Sequence, residues 1–304
     1  MSHAARVWVA LGVVYVIWGS TYLFIEMAGE TIPPMFAVST RFIASGLLMA
    51  GFAAWRRGPR VLRVTRRELG AAALIGALLP GANAVLFIAE RHVATGLSAL
   101  IIGSVPLWIV LFRTLTGDRP PRAALVGVLV GFAGLAILVR PSGGAPLWAL
   151  MLVVGSSLMW ALGSFLSGKV PLPRDAFAAT SLEMLAGGLL MFPIGLFATD
   201  PDFGAFSARS VGGWIYLVTF GSVLGYTAYT WLLDSAPIGK VATYAYVNPV
   251  VAIALGAAVL HESVTWVIAV GAAVVLASVA LVVRQESLPP EAEAMAAGAA
   301  ADAR

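Results

Sequence analysis

Two ionisable side chains stand inside otherwise apolar stretches: Arg41 in VSTRFIASG and Glu183 in SLEMLAGG. Charge in hydrocarbon is costly, so each needs a partner or a task. The two positions are equivalent, 142 residues apart, and carry opposite sign. Each lies roughly 9 Å into its helix at 1.5 Å per residue. Glu26 and Glu90 end apolar stretches near the level of Arg41, while Lys169 and Lys240 border stretches near the level of Glu183. The expected arrangement is therefore two charge-swapped clusters, Arg41 with Glu26 or Glu90 and Glu183 with Lys169 or Lys240. Such pairs serve either as fixed packing ties or as a gate whose contacts break in alternate states. Glu183 is also the candidate for proton coupling, as a carboxyl set between an apolar surround and nearby lysines.

A second set of residues suits binding. Asn83, Phe87 and Glu90, at i, i+4 and i+7, share one helical face. Ser104 and Trp108 share another, Tyr226, Tyr229 and Thr230 cluster, and Tyr244 lies one turn before Asn248. Trp18 and Trp160 again match at an offset of 142 and sit well inside apolar stretches, whereas interfacial tryptophans anchor helix ends. Singly, each aromatic residue also suits plain helix packing. As a set with Asn83 and Asn248 they describe an apolar cavity with a few polar contacts, fit for a small amphipathic solute or a lipophilic cation. Pro106 and Pro249 leave the carbonyls of Ile102 and Ala245 without their helical donors, either as a substrate contact and hinge or as a static bend.

Other chemistries have no support. The chain has no cysteine and only three scattered histidines, so neither a thiolate nor a multi-histidine metal site is expected, and no cofactor is. His261-Glu262 lacks a second histidine four residues on, no pair of aspartates within spans forms a dyad, and no nucleotide-binding loop occurs. An intramembrane enzyme is the alternative of another class.

What must position these residues follows from composition. Of 304 residues, 60% are apolar and 11% charged, against roughly 25% charged in a soluble domain. A helical span needs about 20 apolar residues. Ten such runs occur: 7–25, 35–55, 69–88, 94–113, 123–140, 147–167, 177–197, 211–232, 240–260 and 265–283, separated by short Pro-, Gly- and Asp-rich turns. The first is too long for the apolar core of a signal peptide and reads as a retained span. Residues 285–304, rich in Ala and Glu, read as a disordered cytoplasmic tail.

The isoelectric point is near 9.7, yet the basic residues sit in short loops at span ends rather than along one face, which argues for membrane orientation and against a nucleic-acid partner. With the N-terminus inside, the cytoplasmic side holds Arg6, the six arginines between 56 and 67, Arg113, Arg119, Arg122, Lys169, Arg174, Lys240, Arg284 and Arg304. The opposite side holds Arg91, Arg140 and Arg209, with Arg41 inside a span. Both termini are therefore expected in the cytoplasm.

The sequence also repeats itself. VGVLVGFAGLAILVR (126–140) overlays VGAAVVLASVALVVR (270–284), STRFIASGLLM (39–49) overlays SLEMLAGGLLM (181–191), and Pro106 falls on Pro249. Spans 1–5, residues 1–142, thus recur as spans 6–10, residues 143–284. Because five is odd, the second copy enters the membrane from the other side, the organisation of alternating-access transporters with a site near the midplane.

The stretches WGSTYLF (18–24), RF (41–42), AERHVATGLSAL (89–100) and YAYVNPVVA (244–252) resemble the EamA-type branch of the drug/metabolite transporter superfamily, and the likeness covers residues 7–284. That resemblance implies ten helices in a basket, with spans 1, 3, 4, 6, 8 and 9 around a central cavity and spans 5 and 10 outside it. Glu26 stands where that pattern carries a basic residue. By analogy the chain exports amino acids, other metabolites or drugs. The expectation is an all-α polytopic inner-membrane protein, two inverted five-helix repeats around a central cavity, which exports small metabolites such as amino acids; a proton-coupled exporter of lipophilic cations is the alternative. Its partners would be a small-molecule substrate and the lipid bilayer.

Overall fold

The computed structural model describes residues 1–118, 120–138, 145–236, 238–241 and 243–286, and among these every regular element is helical. In chain order they are α1 (His3–Gly29), α2 (Pro34–Arg57), α3 (Arg66–Glu90), α4 (Thr95–Ile102), α5 (Val105–Leu115), α6 (Arg122–Leu138), α7 (Leu147–Ser167), α8 (Ala176–Phe197), α9 (Ala208–Tyr216), α10 (Gly225–Ser235), α11 (Ile238–Val241), α12 (Tyr244–Val259) and α13 (Trp266–Glu286). A π-helical stretch, Leu217–Leu224, joins α9 to α10. Grouping α4 with α5, α9 with α10 and α11 with α12 gives ten spans. Eight are long and apolar enough to cross a bilayer, and α6 and α12 are shorter apolar helices. The junction expected at 142–143 and Arg140 lie outside the described residues; of the tail expected over 285–304, Gln285 and Glu286 instead end α13 and the rest lies outside the described residues.

Local chemistry sets the helix starts. Ser2 accepts from the Ala5 amide and Asp175 from the Ala178 amide. Thr65 and Glu68 exchange hydrogen bonds in a full capping box that opens α3, satisfying amides that the first turn leaves unpaired. Span 4 breaks at Gly103-Ser104, where Pro106 cannot donate to Ile102, and restarts with that proline in its first turn. Pro249 stands inside α12 without ending it.

Small residues set the packing. A Cβ on Gly46 of α2 would stand 2.7 Å from Leu185 Cγ and 3.0 Å from the Ser181 carbonyl; one on Gly188 of α8 would stand 2.9 Å from Ile43 Cγ1 and from the Ser39 carbonyl. At an offset of 142 this is one contact made twice, as an approximate two-fold axis between the halves requires. The outer pair repeats the pattern: Gly127 of α6 meets Val282, and Gly271 of α13 meets Leu138. A third instance joins Gly163 to Leu79 and Gly221 to Thr21. Both α2/α8 and α6/α13 run antiparallel. With no hydrophobic drive between helices in lipid, such close backbone approach supplies the attraction.

The start of α1 and the end of α13 share one end of the bundle, hereafter the terminal end; the other is the far end. Outward faces are apolar, with Trp55, Leu129, Leu190 and Phe197 exposed.

Candidate functional site

The site is built on breaks in the helices. In span 8 the π-helical stretch turns the Gly221 carbonyl towards α1, where Trp18 Nε1 donates to it at 3.2 Å. The next residue, Ser222, accepts from Arg41 Nε at 3.1 Å. Such π-helical stretches recur at functional sites because one extra residue per turn redirects side chains. Trp18 then gathers three rings, Tyr226, Tyr229 and Tyr244, at centroid separations of 5.4, 5.0 and 5.1 Å, and Tyr229 and Tyr244 touch edge to face at 5.7 Å. This cage joins α1 of the first half to α10 and α12 of the second.

Between the halves lies a cavity of about 440 Å³. Its wall includes Trp18, Tyr22, Arg41, Asn83, Ser156, Trp160, Tyr226, Tyr229, Tyr244 and Asn248, and is otherwise mostly aliphatic. The structure thus brings together Trp18, Asn83, Trp160, Tyr226, Tyr229, Tyr244 and Asn248 of the expected binding residues. Asn83 donates to the Leu79 carbonyl at 3.2 Å, and Asn248 Oδ1 is buried with no hydrogen-bond partner. Phe87, Ser104 and Trp108 are not in the wall. Phe87 is buried against Gly29. The break before Pro106 turns Ser104 onto Ser157 at 3.0 Å and Trp108 onto Phe132, with ring centroids 4.4 Å apart. The wall also draws on span 2, through Arg41 and Phe42, and on span 10, through Val282 and Val283, beyond the six spans that the resemblance implied.

The expected ion pairs are not made in this conformation. Arg41, 4% exposed, bonds Ser222, lies over its own neighbour Phe42 at 5.0 Å, and leaves Nη1 without a partner. Neither Glu26 nor Glu90 lies within 4 Å of it; Glu90 is buried with both carboxyl oxygens unpartnered. Glu183 is half-buried and outside the wall. The lysines expected beside it turn to rings instead, Lys169 Nζ over Phe165 at 4.3 Å and Lys240 Nζ over Trp8 at 4.4 Å. Depth along a helix follows from residue counting, but the direction around it does not when every face is apolar.

One polar tie was missed by sequence reasoning. Glu262 accepts from the Thr95 amide at 2.7 Å, its hydroxyl at 3.0 Å and the Gly96 amide at 3.3 Å. It thereby caps α4 of the other half at the far end, where amides and helix dipole favour an anion. His261 before it has φ +56°, a left-handed turn that ends span 9; a carboxylate after an apolar run was the available signal. The far end is further tied by Glu30–Arg209 at 2.8 Å and by Arg91 donating to the Gly29 carbonyl at 2.6 Å. Across the terminal end, Arg57 pairs with Asp175 at 3.0 Å, His3 reaches the Ser235 carbonyl at 3.0 Å, and Tyr15 bonds Thr243.

Two-fold contacts around a cavity walled by both halves coincide with a family match. The profile of the EamA-like transporter family fits residues 6–140 and again residues 147–284. The chain belongs to the EamA-like transporter family. Within reach of this EamA-like chain is the inner membrane transporter YedA of Escherichia coli (strain K12), 35% identical over 266 residues, 84% of this chain and 83% of YedA. The transporter YvbV of Bacillus subtilis (strain 168) is 24% identical over 280 residues, 90% of each chain. A solved crystal structure superposes with a TM-score of 0.63 at 20% identity, covering 92% of this EamA-like chain and 98% of its own, and so shares the fold. The molecule is accordingly a polytopic membrane protein of a transporter family rather than an enzyme.

Proposed function

We propose that the chain is a secondary exporter of small metabolites such as amino acids, working by alternating access between two inverted five-helix repeats, residues 1–142 and 143–284. In this reading it resides in the cell (inner) membrane with the terminal end, and so both termini, in the cytoplasm. The observation that carries it is the 440 Å³ cavity walled by both halves, set between helices that meet through paired two-fold contacts; a rocking of one repeat on the other would expose such a cavity to either side. The far-end ties of Glu262, Glu30 and Arg209 are the contacts that would open in one direction, and the terminal-end ties of Arg57, Tyr15 and His3 in the other. Glu26 and Glu90 line up with the far-end group, and Lys169, Lys240 and Glu183 with the terminal-end group, as gating or coupling residues. The ring cage around Trp18 would also suit a lipophilic cation; the fixed charge of Arg41 in the same wall opposes one.

The test is uptake by reconstituted vesicles of a labelled amino-acid panel and a lipophilic cation, with and without a pH gradient, against empty vesicles. Saturable amino-acid flux is expected. Cation flux that requires the gradient would replace this reading with the drug-exporter one, and no flux above empty vesicles would remove both. Since the chain has no cysteine, single cysteines at Ser2 and Thr199 report orientation by membrane-impermeant labelling of intact cells: Thr199→Cys should label and Ser2→Cys should not, and the reverse pattern would invert the topology.

A further inference from the structure

Among the described residues, the cavity wall holds one formally charged side chain, Arg41, and no Asp, Glu or Lys. Its guanidinium is buried, makes one neutral hydrogen bond to Ser222, and has no carboxylate within 4 Å. A buried cation is ordinarily paired, because desolvation without a counter-ion is costly. Among the described residues none supplies the anion within 4 Å, and Nη1 lacks even a neutral acceptor there. Arg41 is held by structure on several sides: Ser222 fixes Nε, Phe42 lies beside the plane, and Gly221 leaves room at Nη2, where a Cβ would stand 3.5 Å away. A guanidinium anchored through Nε keeps its terminal nitrogens in a planar fork, the geometry that matches a carboxylate.

We infer that the cavity reads the carboxylate of an amphipathic monocarboxylate, an amino acid included, with Arg41 as the head-group receptor and the Trp18, Tyr226, Tyr229 and Tyr244 rings as the apolar seat. The inference rests on the reading of this cavity as the substrate site and names the charge class that it takes. One carboxylate neutralises one guanidinium; a dianionic phosphate would leave a charge unmatched in an apolar wall, and a cation would meet the like charge of Arg41. Ser222 is a positioning residue in this scheme, acting through the orientation of Arg41.

Three probes that share one phenyl ring test it: 3-phenylpropionate, 3-phenylpropanamide and phenyltrimethylammonium, titrated calorimetrically into the purified full-length protein in detergent. The acid is expected to bind at least about ten-fold more tightly than the amide, as a hydrogen-bonded pair with both partners charged exceeds one with a single charged partner, and the ammonium most weakly. Arg41→Met should lower acid affinity far more than amide affinity and so erase the acid's advantage, and Arg41→Lys should restore part of it. Ser222→Ala, a small change that spares the fold should Arg41→Met not, is expected to lower acid affinity several-fold and amide affinity by less. Equal affinity for acid and amide, tighter binding of the ammonium, no binding of any probe, or a preference that survives both variants would each overturn the inference. Vesicle flux separates it from the transport reading: flux indifferent to head group sinks this inference alone, whereas acid-selective binding without flux of any solute sinks transport alone.

Discussion

Trp18 and Trp160 stand at the same place in the two halves, and both face the central cavity. Around Trp18 three tyrosines close within 5.4 Å, and its indole N–H is fixed on the Gly221 carbonyl. Around Trp160, among the described residues, no ring packs; the positions equivalent to Tyr226 and Tyr229 are Ala84 and Phe87, and Phe87 is not in the cavity wall. The same divergence separates Arg41 in the wall from Glu183 outside it. By contrast the glycine contacts Gly46–Leu185 and Gly188–Ile43 are kept in both copies. The frame is two-fold; the cavity wall it carries is not. A symmetric frame has two equivalent tilts, while a single asymmetric wall offers one substrate the same groups in each.

The largest effect is expected where the frame itself is altered. Gly46→Ala and Gly188→Ala each drive a methyl to 3.0 Å or less from backbone atoms of the facing helix, which cannot step aside as a side-chain end can. Overpacking should cost about 2 kcal/mol or more at either site, with matched falls in melting temperature and in yield of monodisperse protein. Gly12→Ala, with nothing within 4 Å, is the control and should be neutral or stabilising. A large loss for one of the pair and none for the other would deny the two-fold frame.

Next comes the wall. Trp18→Ala removes three ring contacts worth roughly 0.5–1.5 kcal/mol each, so the half-saturating concentration for uptake should rise about ten-fold or more. Trp160→Ala, with no ring neighbours to lose, should raise it about two- to three-fold. Equal effects would mean that both halves seat the substrate alike and that the asymmetry is structural ornament.

How much of this was legible beforehand depends on what fixes each feature. Ten apolar runs became ten spans because length and composition alone satisfy backbone bonding in lipid. The repeat was legible in 126–140 against 270–284 because helix contact demands glycine at set positions. Seven of the ten residues expected in the cavity line it, since polar and aromatic groups in hydrocarbon are few. The partners of Arg41 were not legible: Ser222 lies 181 positions away, on a π-helical stretch that no propensity announces. Glu262 escaped for a related reason, as its role is to cap a helix of the other half. Tyr22 joins Trp18 and Ile25 at i, i+4 and i+7 on one face of α1, a stripe that periodicity alone could have flagged.

The smallest effect is expected at Glu183, which repeat symmetry pairs with Arg41. Its side chain is half-buried on α8, outside the cavity wall, and neither Lys169 nor Lys240 bonds it. What packs tightly there is the Glu183 main chain, whose carbonyl would lie 2.4 Å from a Cβ on Gly76 of α3. Glu183→Gln keeps shape and main chain and removes only the charge, so melting temperature and uptake should change by less than about two-fold in the corresponding constants. Measured with and without a pH gradient, that result would make the pair Arg41 and Glu183 equivalent in position and unlike in task, one binding the solute and one a remnant of the repeat. Loss of the gradient response in Glu183→Gln, with uptake otherwise intact, would instead give the second half its own function: proton coupling opposite substrate recognition, each carried by the same position in its repeat.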